Sequence, residues 1–414
     1  MIRLPHHLAF AIGAALSLSM AAPAIAQDKS SLDRLVPHAL DVTTQSGFDA
    51  IAAAIGNRRI VMLGEASHGD ASSFETKAAL IDYLHREHGF DVLVFESGLF
   101  DLGEADRKAQ AGTTASAALG EAIFPVWAKA DQFAALNQVI DRAQAEGTPF
   151  TLAGFDFQPS SGNIQLLGQA LHVLSDRIDG PAVGAVAQKL DGLVNGKMAA
   201  LMALDTRDLD TKIEATRGDF AKLAPAEQSY WTHVLTGFGK FVRFAQILAK
   251  GPQPGELNIR DEVMADNFAM LANELYPNRK IIVWAATSHI LKDRTAIDVA
   301  GDKDMVPMGA HLAASPLAPQ IYVIAMTALD GQTGSMLREP MAIGAAGEGT
   351  LEASVMGILP DASAAFVDLA PVAGERFVAR GLGHAQWAGE WAKAVDGIIV
   401  IRDMKPTSYP TKPE

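Results

Sequence analysis

The sequence has no cysteine among its 414 residues. Disulfide bonds, cysteine nucleophiles and zinc sites built from cysteine are therefore excluded. Aromatic residues make up only 7% of the chain, so the composition gives no indication of an aromatic platform for a sugar or a macrocycle. Basic clusters are also missing, and the formal net charge of -14 argues against a function in nucleic-acid binding.

Long apolar segments are confined to the start of the chain. Residues 8–20 are apolar and follow a short positive stretch, and residues 24–26 form the small-residue pattern Ala-Ile-Ala. This arrangement is typical of a secretory signal peptide, so residues 1–26 are predicted to be cleaved off. A membrane anchor is the alternative, but the apolar run is short for a bilayer span. We therefore expect a periplasmic or secreted protein without stable membrane association after cleavage.

Three well-known catalytic motifs do not occur in the chain. There is no Gly-x-Ser-x-Gly elbow, no Ser-x-x-Lys and no His-Glu-x-x-His. Ser67 stands next to His68, but adjacent helical positions point apart, so a Ser67 nucleophile is only a minor alternative. The main candidates for chemistry are therefore carboxylates and imidazoles.

Four short apolar runs are typical of strands buried on both faces, and each ends beside an ionisable residue. The runs are residues 60–63, 91–95, 150–155 and 280–286. The ionisable residues that follow them are Glu65 and His68, Glu96, Asp156, and His289. Because the carboxyl ends of parallel strands lie along one edge of a sheet, we expect these side chains to converge on one crevice.

The distribution of strand-like runs predicts the domain organisation. Further runs occur near residues 320–325, 365–369 and 397–401, whereas residues 160–276 show only helical spacing of apolar residues. The sequence predicts one α/β domain over residues 27–405, with a mostly parallel central sheet flanked by helices. The large helical insertion, about residues 160–276, is placed beside the C-terminal edge of the strands, where it either walls a substrate cleft or covers one face of the sheet. Residues 406–414 are predicted to form a flexible tail.

Several motifs, in order along the chain, resemble the erythromycin esterase family. Residues 64–69 read GEASHG, and a strand containing Phe95-Glu96 follows. Similar motifs occur at residues 260–267, 284–289, 308–312 and 396–402. The resemblance covers nearly the whole chain after residue 30 and implies the α/β fold and hydrolase activity of that family.

One motif departs from the family pattern Trp-Ala-His-Asn-x-His. Ala286 and Thr287 stand where the first histidine and the asparagine are expected, and His289 retains the second histidine. A site with one imidazole fewer is expected to act on a different substrate or to catalyse more weakly. Hydrolysis of macrolides, and a role in antibiotic resistance, are therefore in doubt.

The candidate catalytic residues have distinct expected roles. His68 is the candidate general base, because imidazole titrates near neutral pH, and Glu96 is expected to fix its tautomer. The family resemblance implies the same two roles. Glu65 is expected to position water or substrate, with a carboxylate matched to the helix dipole as the alternative. His289 is expected to polarise a carbonyl or to protonate a leaving oxygen.

Four further residues are candidates for substrate binding. Lys77 stands where the family has a basic residue, which implies binding of a carboxylate or carbonyl oxygen; a solvated ion pair is the alternative. Asp156, Trp127 and Arg260 are the others. Their structural alternatives are, respectively, a helix cap, core packing and an ion pair with Asp261.

The expected function is that of an exported carboxylic ester hydrolase, which cleaves a small-molecule ester or lactone with a His-activated water and no cofactor. Two alternatives stay open. Glu65, His68, Glu96 and His289 together suit a divalent ion such as zinc or manganese, which would make the protein a metal-dependent hydrolase. The missing histidine at Ala286 instead favours a catalytically inactive periplasmic ligand-binding protein on the same fold.

Overall fold

The computed structural model describes residues 32–161, 164–191, 193, 198–252, 255–299 and 304–410. The predicted signal peptide, residues 1–26, lies outside the described residues. Within the described part of the chain, no helix combines the length and the apolar character that a bilayer crossing requires.

The strands in chain order are β1 His38–Leu40, β2 Ile60–Glu65, β3 Phe90–Gly98, β4 Thr151–Asp156, β5 Lys280–Ala286, β6 Ile321–Thr333, β7 Met341–Ala342, β8 Ala364–Asp368, β9 Phe377–Ala379, β10 Trp387–Gly389 and β11 Gly397–Met404. In the described residues, nine of them form one sheet with the order β1-β8-β11-β6-β2-β5-β3-β4, and β7 pairs with β6 beyond this path. Strands β9 and β10 pair with each other.

The central sheet is mostly parallel, as the sequence predicts. The pairs from β11 through β6, β2, β5 and β3 to β4 are all parallel. Only β8, which pairs with β11 and β1, and the short β7 run antiparallel. The carboxyl ends of β2, β5, β3 and β4 therefore lie side by side, in that order, along one edge.

The helices in chain order are α1 Phe48–Ile55, α2 Ala71–His88, α3 Leu99–Gln110, α4 Ala115–Ala122, α5 Pro125–Ala128, α6 Ala134–Ala145, α7 Ile164–Ile178, α8 Pro181–Asp191, α9 Met198–Met202, α10 Thr206–Phe220, α11 Pro225–Lys250, α12 Asn258–Met270, α13 Thr287–Ile290, α14 Met308–Ala313, α15 Leu351–Ile358 and α16 Trp391–Ala394. A π-helical turn, Leu271–Leu275, follows α12 directly. Short 3-10 turns cover Leu32–Arg34, Asp131–Phe133, Arg294–Ala296, Ala318–Gln320 and Ala370–Val372. Between β4 and β5 the described residues contain helices α7 to α12 and no strand, which agrees with the predicted helical insertion.

Alternate residues of the central strands supply two separate hydrophobic cores. Successive side chains of a strand point to opposite faces of a sheet. Ile60 and Met62 accordingly pack in the core that includes the insertion helices, and Val61 and Leu63 pack in the core formed with α1, α2 and α6. Every residue of β2 is buried, which explains why residues 60–63 are all apolar. The insertion therefore covers one face of the sheet.

Residues 406–410 differ from the flexible tail that the sequence predicts. Thr407 is buried, and its N–H donates to the carbonyl of Gly69 over 2.8 Å. The Tyr409 hydroxyl donates to the carbonyl of Val126 over 3.2 Å. The first bond satisfies a backbone group of the turn after β2 and the second one of α5, so the segment is held against both. Residues 411–414 lie outside the described part.

Candidate active site

The turn between β2 and α2 places a carboxylate beside an imidazole. Glu65 is the last residue of β2, and its Oε1 atom lies 3.0 Å from Nδ1 of His68. Gly64 allows α13 to approach the strand closely, since a Cβ atom there would lie only 2.6 Å from Thr287 Oγ1 and 2.9 Å from Thr287 Cα. The glycine is therefore required by the packing of α13 on the end of β2.

Glu65 is completely buried and its carboxylate is held by three side chains. Lys77 Nζ donates to Oε2, and Trp127 Nε1 donates to Oε1 over 3.1 Å. Burial alone would raise the pKa of Glu65, but the charge of Lys77 and the contact with His68 outweigh it and lower the pKa. The carboxylate is therefore ionised at neutral pH and can only accept hydrogen bonds.

This ionised acceptor determines the tautomer of His68. Nδ1 must carry the proton that it shares with Glu65, which leaves Nε2 of the neutral ring as a proton acceptor. The His68 side chain is 27% exposed, and the indole of Trp127 meets its ring edge to face at 4.9 Å. A partly exposed imidazole with a fixed tautomer is the arrangement that a general base requires.

Lys77 does not face a substrate cleft, contrary to the sequence-based expectation. Its side chain is fully buried, and besides Glu65 it donates to the carbonyl of Ala285 over 3.1 Å and lies 4.6 Å above the ring of Trp284. Burial lowers the pKa of Lys77, and Glu65 restores part of the loss. Its function in the structure is to neutralise and orient Glu65.

Glu96 belongs to a second cluster and does not contact His68. Its Oε1 accepts from Arg260 Nη2 over 2.9 Å and lies 3.2 Å from His289 Nε2, and its Oε2 accepts from the Ala286 N–H over 2.9 Å. The strand order explains the difference from the expected His68–Glu96 pair. Because β5 lies between β2 and β3, Glu96 reaches the end of β5 rather than the turn after β2.

Arg260 links the ends of two strands from the insertion side. Its Nε and Nη2 atoms donate to Asp156 Oδ2 over 3.1 and 2.7 Å, and Asp156 is fully buried. The expected substrate-binding residues Lys77, Asp156, Trp127 and Arg260 are all at most 8% exposed. Their polar groups are hydrogen-bonded to other side chains of the two clusters, and Asp156 also lines a small recess.

His289 carries a positive charge at neutral pH. Its Nδ1 lies 2.7 Å from Asp261 Oδ1, and Arg260 Nη1 lies 3.2 Å from its Nε2. Burial would lower the pKa of His289, but Asp261 and Glu96 outweigh burial and raise it to about 10. Burial would also raise the pKa of Glu96, yet His289 and Arg260 hold it well below its usual range. Glu96 and His289 are therefore both ionised at neutral pH.

A partly open recess lies on the far side of Asp156, under the helical insertion. Its volume is only about 30 Å³, and its wall is mostly apolar, with Phe100, Leu167 and Phe238 among its residues. Its polar lining includes His233 and Asn267, whose Nδ1 and Oδ1 atoms lie 3.1 Å apart. The insertion therefore walls a small space beside the charged cluster as well as covering the sheet.

The chain was compared with known proteins by sequence and by fold. The sequence profile described as Erythromycin esterase matches residues 85–404. The chain belongs to the erythromycin esterase family. A relative from Bacillus subtilis (strain 168), YbfO, whose name describes it provisionally as a hydrolase, is 27% identical over 350 residues, which cover 76% of each chain. Membership of this family, together with that relative, supports a hydrolase.

Two solved structures share the fold of this erythromycin esterase family member. A Bacillus cereus protein superposes with a TM-score of 0.72 at 18% identity, covering 92% of this chain and 98% of its own. A histidine-to-asparagine mutant of the erythromycin esterase EreC, in its open conformation, superposes with a TM-score of 0.69 at 18% identity, covering 91% and 99%. At this identity the likeness shows the fold alone.

The four residues that were considered as metal ligands do not form one group. Among the described residues of this family member, no three His, Asp or Glu side chains are arranged to hold a metal ion. Glu65 and His68 share one cluster with Lys77, and Glu96 and His289 share the other with Arg260. In each cluster a buried cation, Lys77 or Arg260, is already paired with the glutamate.

Sequence reasoning missed two residues that contact the turn of His68. Asp70 is fully buried, and His384 Nε2 lies 2.9 Å from its Oδ2 although 314 positions separate the two residues. Asp70 directly follows the GEASHG motif, and that adjacency was the available signal. His384 lies in no recognisable pattern, so the sequence offers no signal for it.

Proposed function

We propose that the protein is an exported hydrolase that cleaves a carboxylic ester or lactone with a water molecule activated by His68. The observation that carries this proposal is the 3.0 Å contact between His68 Nδ1 and the buried, ionised Glu65. This contact supplies what a histidine base needs, namely a fixed tautomer and a negative charge that stabilises the protonated ring.

The proposed reaction uses His68 twice. Nε2 takes a proton from water while the water oxygen attacks the carbonyl carbon of the ester. The protonated His68 then gives that proton to the departing alkoxide oxygen, so that the products are an acid and an alcohol. Glu65 carries the supporting role that the sequence suggested for Glu96, and Lys77 with Trp127 keeps Glu65 in place.

His289 is the proposed source of positive charge for the developing oxyanion. In its cluster, the carboxylates of Glu96, Asp156 and Asp261 form ion pairs with Arg260 and His289. A neutral His289 would leave two uncompensated negative charges beside the site, whereas the imidazolium reduces that repulsion. The raised pKa of His289, about 10, supports its protonation at the pH of catalysis. Both of its nitrogens have partners, so its effect is electrostatic.

The substrate is proposed to be a small ester or lactone other than a macrolide. Ala286 and Thr287, in place of the histidine and asparagine of the family pattern, support a different substrate. Export is proposed from the N-terminal segment; detection of the mature chain in the periplasmic fraction, with an N-terminus at residue 27, tests it.

The activity test compares two histidine-to-glutamine variants. The panel consists of chromogenic esters of increasing acyl length, simple lactones and macrolactones. His68→Gln is expected to lower kcat/KM by about 10²–10⁴-fold, the range that general base catalysis contributes. His172→Gln is the matched control, since His172 pairs with Asp191 on the surface. It should retain the kcat/KM of the unchanged protein within twofold.

Three outcomes would contradict the proposal. Full activity of His68→Gln would remove the base assignment. Loss of turnover with a chelator, restored by zinc or manganese, would favour the metal-dependent hydrolase. No turnover of any panel member by the unchanged protein, combined with tight binding of one of them, would favour a ligand-binding protein.

A further inference from the structure

The turn that carries Glu65 and His68 is held by three segments from the C-terminal part of the chain. The Gly383 N–H donates to the carbonyl of Ala66 over 3.2 Å. The carbonyl of Gly69 accepts from the N–H groups of Gly334 and Thr407, each over 2.8 Å. The position of His68 therefore depends on residues that follow it by more than 260 positions in the sequence.

Asp70 is the centre of this support. Its Oδ2 accepts from the N–H of Ser67 over 3.0 Å, and its Oδ1 accepts from Thr333 Oγ1 over 2.8 Å. His384 Nε2 lies 3.0 and 2.9 Å from the two oxygens. Because the carboxylate bonds to the backbone of the residue before His68, any movement of Asp70 is transmitted to the catalytic turn.

His384 adopts a costly conformation in order to reach Asp70. Its φ of 57° lies in the left-handed region, which is unfavourable for a residue with a side chain. It is only 6% exposed, and its Nδ1 forms no hydrogen bond with the described residues. Strain and an unsatisfied polar atom at one buried residue are features that folds retain mainly at functional positions.

Arg380 holds the backbone of His384 in this conformation. Its Nε donates to the carbonyl of His384 over 2.8 Å. The rest of the guanidinium donates to backbone carbonyls of Ala328, Leu329, Ile343 and Gly344, which belong to β6 and to the chain after β7. The imidazole thus projects from a rigid platform.

We propose that Asp70 and His384 are positioning residues, which fix the turn after β2 so that His68 keeps its hydrogen bond to Glu65. Neither side chain touches the reacting atoms. Their removal leaves Glu65, Lys77 and Trp127 in place but allows the His68 ring to leave Glu65. The kinetic part of the test rests on the proposed hydrolase function, and the spectroscopic part does not.

The spectroscopic test measures the ¹⁵N shifts of the His68 ring in histidine-labelled protein, with His68→Gln used to identify the signals. In the unchanged protein, Nδ1 and Nε2 should give the separate shifts of one tautomer. Asp70→Asn and His384→Gly should bring the two shifts together, as expected for mixed tautomers. Glycine adopts the left-handed region without steric cost, so His384→Gly removes the imidazole and remains compatible with the backbone conformation.

Asp396→Asn is the matched control for this experiment. Asp396 accepts from Lys292 and from the N–H of Val323 over 2.7 and 2.8 Å, and it precedes β11 at the opposite edge of the sheet. Asp396→Asn therefore removes a carboxylate that does not contact the turn. The ¹⁵N shifts of His68 in this variant should equal those of the unchanged protein. If His384→Gly fails to fold, Asp70→Asn and His384→Asn, which also tolerates the left-handed region, provide the same measurement.

On an ester that the unchanged protein hydrolyses, His384→Gly should lower kcat at least tenfold and change KM less than threefold. Added imidazole, which fits the space left by the side chain, should restore part of kcat. Unchanged His68 shifts in Asp70→Asn and His384→Gly would overturn the proposal, as would an equal change in Asp396→Asn. If the unchanged protein hydrolyses nothing, the hydrolase function fails while the shifts still decide the positioning role.

Discussion

Lys77 and Glu65 form an ion pair in which both side chains are fully buried. Such a pair contributes little net stability, because desolvation of two charges offsets their attraction, but removal of one partner leaves an unpaired charge in the interior. The pair lies directly behind His68, since the same carboxylate holds the Nδ1 proton. The stability of the fold and the orientation of the proposed base therefore depend on one carboxyl group.

Single and double replacements of this pair should show strong coupling. Lys77→Met and Glu65→Gln are each expected to lower the free energy of unfolding by about 3–5 kcal/mol, because each leaves a buried polar or charged partner unpaired. The double variant should lose much less than the sum of the two. Urea denaturation at pH 7 measures all three, with Lys108→Met, from the exposed pair with Glu121, as the control. Additive losses would contradict the coupling.

The separate clusters of Glu65 and Glu96 illustrate what the sequence could and could not predict. Each strand ends at an ionisable residue, and the parallel sheet brings those ends to one edge, as expected. The order of the strands is set by long-range packing of the two cores, which local patterns do not reveal. Consequently the sequence predicted that Glu65, His68 and Glu96 lie at this edge but paired His68 with Glu96, whereas in the structure His68 contacts Glu65.

The burial of Lys77 and the role of His384 were unpredictable for a related reason. A lysine on an amphipathic helix is normally solvated, and only the approach of β5 and Trp284 makes the position of Lys77 an interior one. His384 meets Asp70 across 314 residues of chain, so no local motif contains both partners. Tertiary contacts of this range are specified by the whole fold.

The pH dependence of stability should reveal the charge on His289. Its pKa is raised from 6.5 to about 10 in the folded protein, because Asp261 and Glu96 outweigh its burial. Because its pKa is higher in the folded than in the unfolded protein, the protonated His289 stabilises the fold fully below pH 6.5. This stabilisation is lost as the pH rises through 10. The difference in unfolding free energy between the unchanged protein and His289→Phe should therefore shrink between pH 6.5 and 10.

The comparison removes only the imidazole of His289, since every other titratable side chain, including Lys77, is present in both proteins. The measurement is a series of urea unfolding curves at fixed ionic strength, with His172→Phe as a surface control. A difference that stays constant from pH 6.5 to 10 would show that His289 is neutral in the fold. The electrostatic role proposed for it in catalysis would then also fail.

Because α13 packs closely on β2, one methyl group added at Gly64 is predicted to lower the stability of the fold. Gly64→Ala would place a Cβ atom 2.9 Å from Thr287 Cα and 2.8 Å from Ile290 Cδ1. Relief of this contact requires movement of the β2 end or of α13, at a cost of about 1–3 kcal/mol in unfolding free energy. Gly218→Ala in α10 is the control, because outside its own stretch of helix backbone the added methyl group would meet no heavy atom within 4 Å. It should be neutral or slightly stabilising, and equal effects of the two changes would contradict the packing argument.

Trp127 offers a comparison between a charged and a neutral hydrogen-bond acceptor. Trp127 Nε1 donates to the Glu65 carboxylate over 3.1 Å, and Trp391 Nε1 donates to the carbonyl of Trp387 over 3.0 Å; both indoles are buried. Trp127→Phe is expected to lower the free energy of unfolding by about 1.5–3 kcal/mol, and Trp391→Phe by about 0.5–1.5 kcal/mol for its hydrogen bond. Only Trp127→Phe should also reduce kcat, because it loosens the carboxylate that orients His68 while an aromatic ring still contacts the imidazole. If kcat falls equally in both variants, the indole of Trp127 does not act through Glu65, and the hydrogen bond at Oε1 has no part in orienting His68.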